Sequence, residues 1–268
     1  MSQIRNWAKH NLGPAVPALK RIEKFIRPNR RINEHILKLN EANGLKNSKL
    51  ETFAPESYAQ SGEDIVISSL LRAQTRTRNR SMNSVFYVEI GANQPIATSN
   101  SYLLYRKFGA HGVLVEANPD LIPDLARVRS RDRVVHTAIS TTRELFVTLH
   151  VGTAHELSSL NPDHVRSFGN FGGVGRIARE VTVRNMHIND FLASYTQENF
   201  DLLSIDCEGL DYDLLHETDF DQFRPFLVQC EPSEHFIPDN RARMISLMES
   251  RSYHLIAVTD INLIFIRE

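Results

Sequence analysis

Apolar residues recur along this chain in two rhythms. Short, nearly unbroken apolar runs at Val85–Ile90, Gly112–Glu116, Val134–Ile139, Leu202–Asp206 and Phe226–Glu231 predict strands buried on both faces. Helical spacing fills the intervals at Ser99–Phe108, Pro119–Arg129 and Tyr212–Glu217, and again at Arg241–Ser250. Tyr253–Thr259 and Leu263–Arg267 predict a hairpin across a Thr-Asp-Ile-Asn turn. Strands that alternate with helices imply right-handed crossovers, hence a mostly parallel sheet covered on both sides. The hairpin adds an antiparallel strand.

Three stretches depart from that rhythm. Leu19, Ile22 and Ile26, then Ile32, Ile36 and Leu39, predict two amphipathic helices broken at Pro28, with a polar stretch at 43–52 before the main domain. Tyr58-Ala-Gln-Ser-Gly-Glu-Asp64 precedes an apolar helix over 65–71, with Ser61 as its expected cap, and 72–84 reads as a loop. In 144–187, Leu145, Val147 and Leu149 alternate as a strand does, as do Val181 and Val183. Between them, Phe168 and Phe171 lie among Gly169, Gly172, Gly173 and Gly175, and 152–180 reads as a lid or insertion over an acceptor site. The organisation expected is therefore an extension, 1–50, and one domain, 51–268.

Charge sharpens that division. Residues 1–50 hold eleven Lys and Arg against three Asp and Glu, whereas the remaining residues hold 20 against 29. A basic arm on an acidic body suggests self-association or docking through the arm, and argues against nucleic acid as the substrate of the body. No apolar run approaches the roughly 18 residues that span a bilayer, and prolines and charges interrupt the N-terminal stretch where a signal would lie. With Cys207 and Cys230 the only cysteines, a cytoplasmic location is expected.

Candidate chemistry collects at strand ends. Val88-Glu-Ile-Gly-Ala-Asn93 closes the first clear strand, where Gly91 permits a tight turn, Glu89 offers a carboxylate to a ligand ammonium and Asn93 adds hydrogen-bonding groups. Glu116 ends the next strand, 25 residues past Gly91, where an acidic side chain accepts ribose hydroxyls. The second and third glycines of a dinucleotide fingerprint are missing, since Ala92-Asn-Gln-Pro-Ile96 follows Gly91. A ligand with a ribose but no pyrophosphate fits better, and S-adenosylmethionine is one. Further on, Asp206, Glu208, Glu231 and His235 follow two strands that should converge on the same crevice. Such oxygen-rich groups suit a divalent metal, but no metal site is expected here.

Tyr58–Asp64, Phe86-Tyr-Val-Glu-Ile-Gly-Ala-Asn93, Ser99-Asn-Ser-Tyr-Leu-Leu-Tyr105, Val115-Glu-Ala-Asn-Pro119, Thr137-Ala-Ile-Ser140 and Leu203-Ser-Ile-Asp-Cys-Glu-Gly-Leu-Asp211 together resemble the FkbM family of S-adenosylmethionine-dependent methyltransferases. The resemblance runs from about residue 57 to the end. It implies a class I methyltransferase fold: Rossmann-like, with a mostly parallel seven-stranded sheet, an antiparallel C-terminal strand and helices on both faces. It implies O-methylation of a sugar, glycan or other small polar or natural-product hydroxyl. It also implies cofactor contacts at Glu89, Gly91, Ala92, Asn93, Glu116, Ala117, Asn118 and Asp206, with Ala138 near the adenine. Cys207 stands where the family usually has an aliphatic residue, and 1–50 falls outside the resemblance.

The catalytic residues expected are Asp206, His235 and Glu208, with Asp206 and His235 sharing removal of the acceptor proton. His155, His164 and His187 are expected on the surface. Two other readings remain: a non-catalytic binding module on the same fold, and a nicotinamide-dependent oxidoreductase, which the missing glycines disfavour.

Overall fold

A computed structural model describes residues 57–170 and 175–268. The expected extension, 1–50, lies outside the described residues, as do Phe171, Gly172 and Gly173. In chain order the elements are α1 (Glu63–Thr77), β1 (Phe86–Ile90), α2 (Tyr102–Phe108), β2 (His111–Glu116), α3 (Ile122–Val128), β3 (Arg133–His136), β4 (Ala138–Ser140), β5 (Phe146–Gly152), α4 (Pro162–Ser167), β6 (Ile177–His187), α5 (Ile188–Tyr195), β7 (Leu202–Ile205), α6 (Asp211–Glu217), β8 (Leu227–Cys230), α7 (Asn240–Ser250), β9 (Tyr253–Val258) and β10 (Leu263–Arg267).

Seven strands form one sheet in the order β3-β2-β1-β7-β8-β10-β9. All its pairings are parallel except those of β10, which runs antiparallel to both β8 and β9. Strands β1, β7 and β8 carry continuous apolar runs because helices cover both faces of the sheet. One face buries Val88, Ile205, Phe191 and Leu215 together. The other buries Tyr87, Leu114, Leu71 and Leu202. Strand order reverses between β1 and β7, and that reversal opens a crevice at the carboxyl ends of the strands.

Four local expectations are corrected. The run Val134–Ile139 is not one strand. It breaks at Thr137, whose hydroxyl donates to the Arg184 carbonyl at 3.0 Å, and β4 leaves the large sheet to pair with β6 in a three-stranded sheet ordered β4-β6-β5. Residues 72–77 continue α1 rather than forming a loop, because Gln74 and Thr75 are buried while the arginines beside them face out. Ser61 does not cap α1. Gly62 does, at φ 88°, and the capping groups run backwards: the Ser61 N–H donates to the Glu63 carboxylate, and Asp64 accepts from Ser57 Oγ and the Tyr58 N–H, each at 2.7 Å. Finally, α5 was not foreseen. Ile188, Phe191 and Leu192 are buried at helical spacing, and a His187 ring nitrogen accepts from the Asn189 N–H at its start.

Arg129 connects the fold to the crevice. Its side chain is fully buried and paired with equally buried Asp132 at 2.8 Å. The guanidinium also donates to Ser99 Oγ, Ser101 Oγ, Tyr87 Oη and the Pro95 carbonyl. Both serines in turn donate to Glu89, which takes a further bond from the Asn100 N–H at 2.9 Å.

Candidate active site

At the end of β1 the chain turns under Gly91, whose φ is +81°. A Cβ there would stand 1.8 Å from the Asp206 carbonyl oxygen, so β1 and β7 end backbone against backbone and only glycine fits. Asn93 (φ 46°), Glu208 (φ 50°) and Ser233 (φ 45°) also hold left-handed conformations at strand ends. Such strain clusters where side chains are aimed at a ligand.

Two backbone N–H groups fix the Glu116 carboxylate, Asn93 on Oε2 at 2.8 Å and Asn118 on Oε1 at 2.7 Å. Each oxygen retains a lone pair for a ligand hydroxyl. Burial pushes the Glu116 carboxyl above its ordinary range, and burial does the same to Glu89. The Asn93 amide oxygen is buried without a hydrogen-bond partner. Ala138 and Ile139 form an apolar wall beyond Glu116.

Glu89, Gly91, Ala92, Asn93, Glu116, Ala117, Ala138, Asp206 and Glu208 all line one cleft. Asn118 does not line it and acts through its backbone, while its side chain accepts from the Asp120 N–H. Sequence reasoning missed Gln60, Ser158 and Ser159, which line the same cleft. Gln60 sits within the Tyr58–Asp64 motif and was the one of these a sequence signal could have found.

Past β7 and β8 lies a group of acids. One carboxylate oxygen each from Asp206, Glu208 and Glu231 falls within 4.8 Å of the others. Asp211 clips the two loops together, accepting from the Cys207 and Glu231 N–H groups at 3.0 Å each. Burial, then the charges of Glu89 and Glu63, raise the Asp206 carboxyl to about 6. Burial and the neighbouring Asp206 charge hold Glu208 and Glu231 well above the usual range.

His235 joins a different group. Its ring lies 4.5 Å from that of Phe168 and 5.3 Å from that of His164, burial lowers its pKa, and among the described residues it has no hydrogen bond to Asp206. His164 is not on the surface. It is fully buried, burial takes its ring to about 4, and a Cβ at Gly209 would meet its Cδ2 at 2.6 Å. His187 is buried too and pairs with Glu217 at 3.0 Å. The His155 side chain lies outside the described residues.

A mostly parallel sheet in this strand order, with the cleft at its switch point and a carboxylate closing β2, is a Rossmann-like fold with a nucleotide-type cleft, and the family match that follows makes it an S-adenosylmethionine-dependent methyltransferase. A profile described as "Methyltransferase FkbM domain" matches residues 89–255, and the chain belongs to that family. Comparison with curated proteins gives no match. Among solved structures, an O-methyltransferase from Bacillus cereus in complex with SAH is 11% identical, covering 99% of this chain and 97% of its own, with a TM-score of 0.40. A putative RNA methyltransferase from Pyrococcus horikoshii is 13% identical, covering 83% and 90%, with a TM-score of 0.38. Fibrillarin from Aeropyrum pernix, with natively bound S-adenosyl-L-methionine, is 10% identical, covering 69% and 67%, with a TM-score of 0.37.

Proposed function

We propose that this methyltransferase acts on oxygen, methylating a hydroxyl of a sugar, glycan or other small polar acceptor. The observation that carries the reading is the juxtaposition of Asp206, Glu208 and Glu231 with the cofactor cleft, because a hydroxyl nucleophile has a proton to lose. Gln60, Asn100, Ser158 and Ser159 supply hydrogen-bonding groups to the same cleft, which suits a polar acceptor.

The chemistry of the donor set fits S-adenosylmethionine: a prepositioned carboxylate for a ribose diol at Glu116, an apolar wall for adenine at Ala138, and an unpartnered amide oxygen at Asn93. When bound, that cofactor supplies an electrophilic methyl group. Glu116 would hold the ribose hydroxyls, and Glu89 and Asn93 would hold the amino-acid end. Asp206 receives the hydrogen bond of the acceptor hydroxyl. With burial raising its carboxyl to about 6, Asp206 is a better proton acceptor than an exposed carboxylate. Alignment of the acceptor oxygen supplies the larger share of the rate, and proton removal adds roughly 10²–10⁴-fold.

The reading is tested with isotope-labelled methyl donor and a panel of polyols, glycosides and phenols. Label on oxygen, with one demethylated cofactor per transfer, is the expected result. Transfer only to nitrogen or carbon acceptors would overturn it.

The segment 152–180 is proposed as the lid of this site. Its described parts are docked rather than loose: Ser159 Oγ donates to the Glu208 carbonyl at 2.8 Å, Asn161 caps α4, and His164 packs on Gly209. Hydrogen exchange over 155–170 should slow when the demethylated cofactor and an acceptor bind. No added protection would remove the lid.

Among the described residues no helix is long and apolar enough to cross a membrane. Cys207 and Cys230 are unpaired, which accords with the proposed cytoplasmic location. The basic arm is proposed to mediate self-association. Deleting 1–45 should leave cofactor affinity intact and change the sedimentation coefficient beyond the lost mass; a change equal to that mass would contradict the role.

A further inference from the structure

We propose that Asp206, Glu208 and Glu231 bind one divalent cation of the magnesium or manganese kind on the acceptor side of the cleft. For the ion's use, though not for its binding, the proposal rests on this cleft being the place of methyl transfer. It departs from the expectation of a metal-free site drawn from the sequence.

Geometry comes first. An ion with ligands at 2.0–2.1 Å holds opposite oxygens about 4.2 Å apart and adjacent ones about 3 Å apart. The three carboxylates already offer oxygens within 4.8 Å of one another. Small rotations of the glutamate side chains would close the remainder. The set is all oxygen, and Cys207 contributes no ligand atom to it. Hard cations prefer such a set, whereas zinc sites favour nitrogen and sulfur.

Independent of the acids is His164. Its side chain is fully buried, neither ring nitrogen has a hydrogen-bond partner, and Nδ1 lies 3.7 Å from Glu208 Oε2. Metal-bound carboxylates are held by outer hydrogen-bond donors, and His164 stands in that place. Asp206 Oδ1 is likewise sealed from solvent without a donor. Among the described residues no Lys or Arg pairs with any of the three acids. Asp206 and Glu208 line the cleft, so open positions on the ion would face it. With the ion bound, the three carboxylates would serve as ligands, and the ion's charge, in place of the basicity of Asp206, would promote loss of the acceptor proton. Open positions would favour acceptors that present two neighbouring oxygens, such as a vicinal diol.

The competing arrangement is a set of shared protons in place of a cation. Manganese titration of the chelator-treated full chain, followed by electron paramagnetic resonance, separates the two. The expected result is a single saturable site. Glu231→Gln and Glu208→Gln should each weaken it at least tenfold, Glu208→Asp less, and His164→Ala about tenfold, the usual cost of losing an outer partner. Calorimetry with S-adenosylmethionine on the same proteins checks that the variants are folded and keeps the two readings apart. No saturable binding up to millimolar manganese, or equal affinity in wild type and both glutamine variants, would overturn the proposal even where cofactor binding is intact. Manganese binding without cofactor binding would leave the ion standing and remove the cofactor assignment.

Discussion

Asp206→Asn is expected to lower turnover by about 10²-fold or more while leaving cofactor affinity and folding within about 1 kcal/mol of wild type. The side chain ends β7 at the switch point, and its backbone N–H donates to the Ile90 carbonyl at 3.0 Å, which fixes where the carboxylate stands. Asparagine keeps that backbone bond and the side-chain volume. It removes the negative charge and presents an amide group that cannot take up a proton. Because the wild-type carboxyl is already displaced towards neutrality by burial, folding loses little when the charge goes. The comparison requires single-turnover methyl transfer with an acceptor found by the labelled-donor panel. Equal rates would remove Asp206 from the mechanism and leave the β7 motif a purely structural one.

The largest effect on stability is expected far from the reacting atoms. Arg129→Met should destabilise the domain by about 3–5 kcal/mol, the range for removing one partner from a buried ion pair. Methionine fills much of the same space among Tyr87, Tyr102 and Tyr105. It leaves Asp132 buried with its charge, supported by Tyr87 Oη and the Gly112 N–H but without a cation. It also removes the donors to Ser99 and Ser101 that support Glu89. Denaturant unfolding measures the first effect. A loss below about 1 kcal/mol would mean that the pair contributes little beyond its shape. The Glu89 loop should loosen in the same variant, so cofactor affinity should fall together with stability.

Most of the large sheet was legible because parallel strands buried on both faces leave apolar runs that nothing else in the chain imitates. The strand-end residues were legible for a related reason: Glu89, Glu116 and Asp206 each terminate such a run, and the fold brings those ends together. What escaped had no local signature. The break at Thr137 falls inside an apolar run and depends on a carbonyl 47 residues away. The last turns of α1 alternate buried polar residues with exposed arginines, which reads as loop. Arg129 closes a helical pattern as any surface arginine would, and its partners lie in three separate segments. His164 was read as a surface residue because the groups that bury it, Gly209, His235 and Phe236, come from another part of the chain. His235 shows the reverse: its position after β8 was legible, but its packing against His164 and Phe168 rather than Asp206 was not.

The central claim is that the cleft at the ends of β1 and β2 holds the cofactor through its ribose. Titration calorimetry of wild type and Glu116→Ala with S-adenosylmethionine and with its demethylated product tests it most directly. Removing the carboxylate leaves two ribose hydroxyls unpaired, so both ligands should bind more weakly by about 1–3 kcal/mol, with the same loss for each because the methyl group lies elsewhere. Unchanged affinity for both would contradict the account.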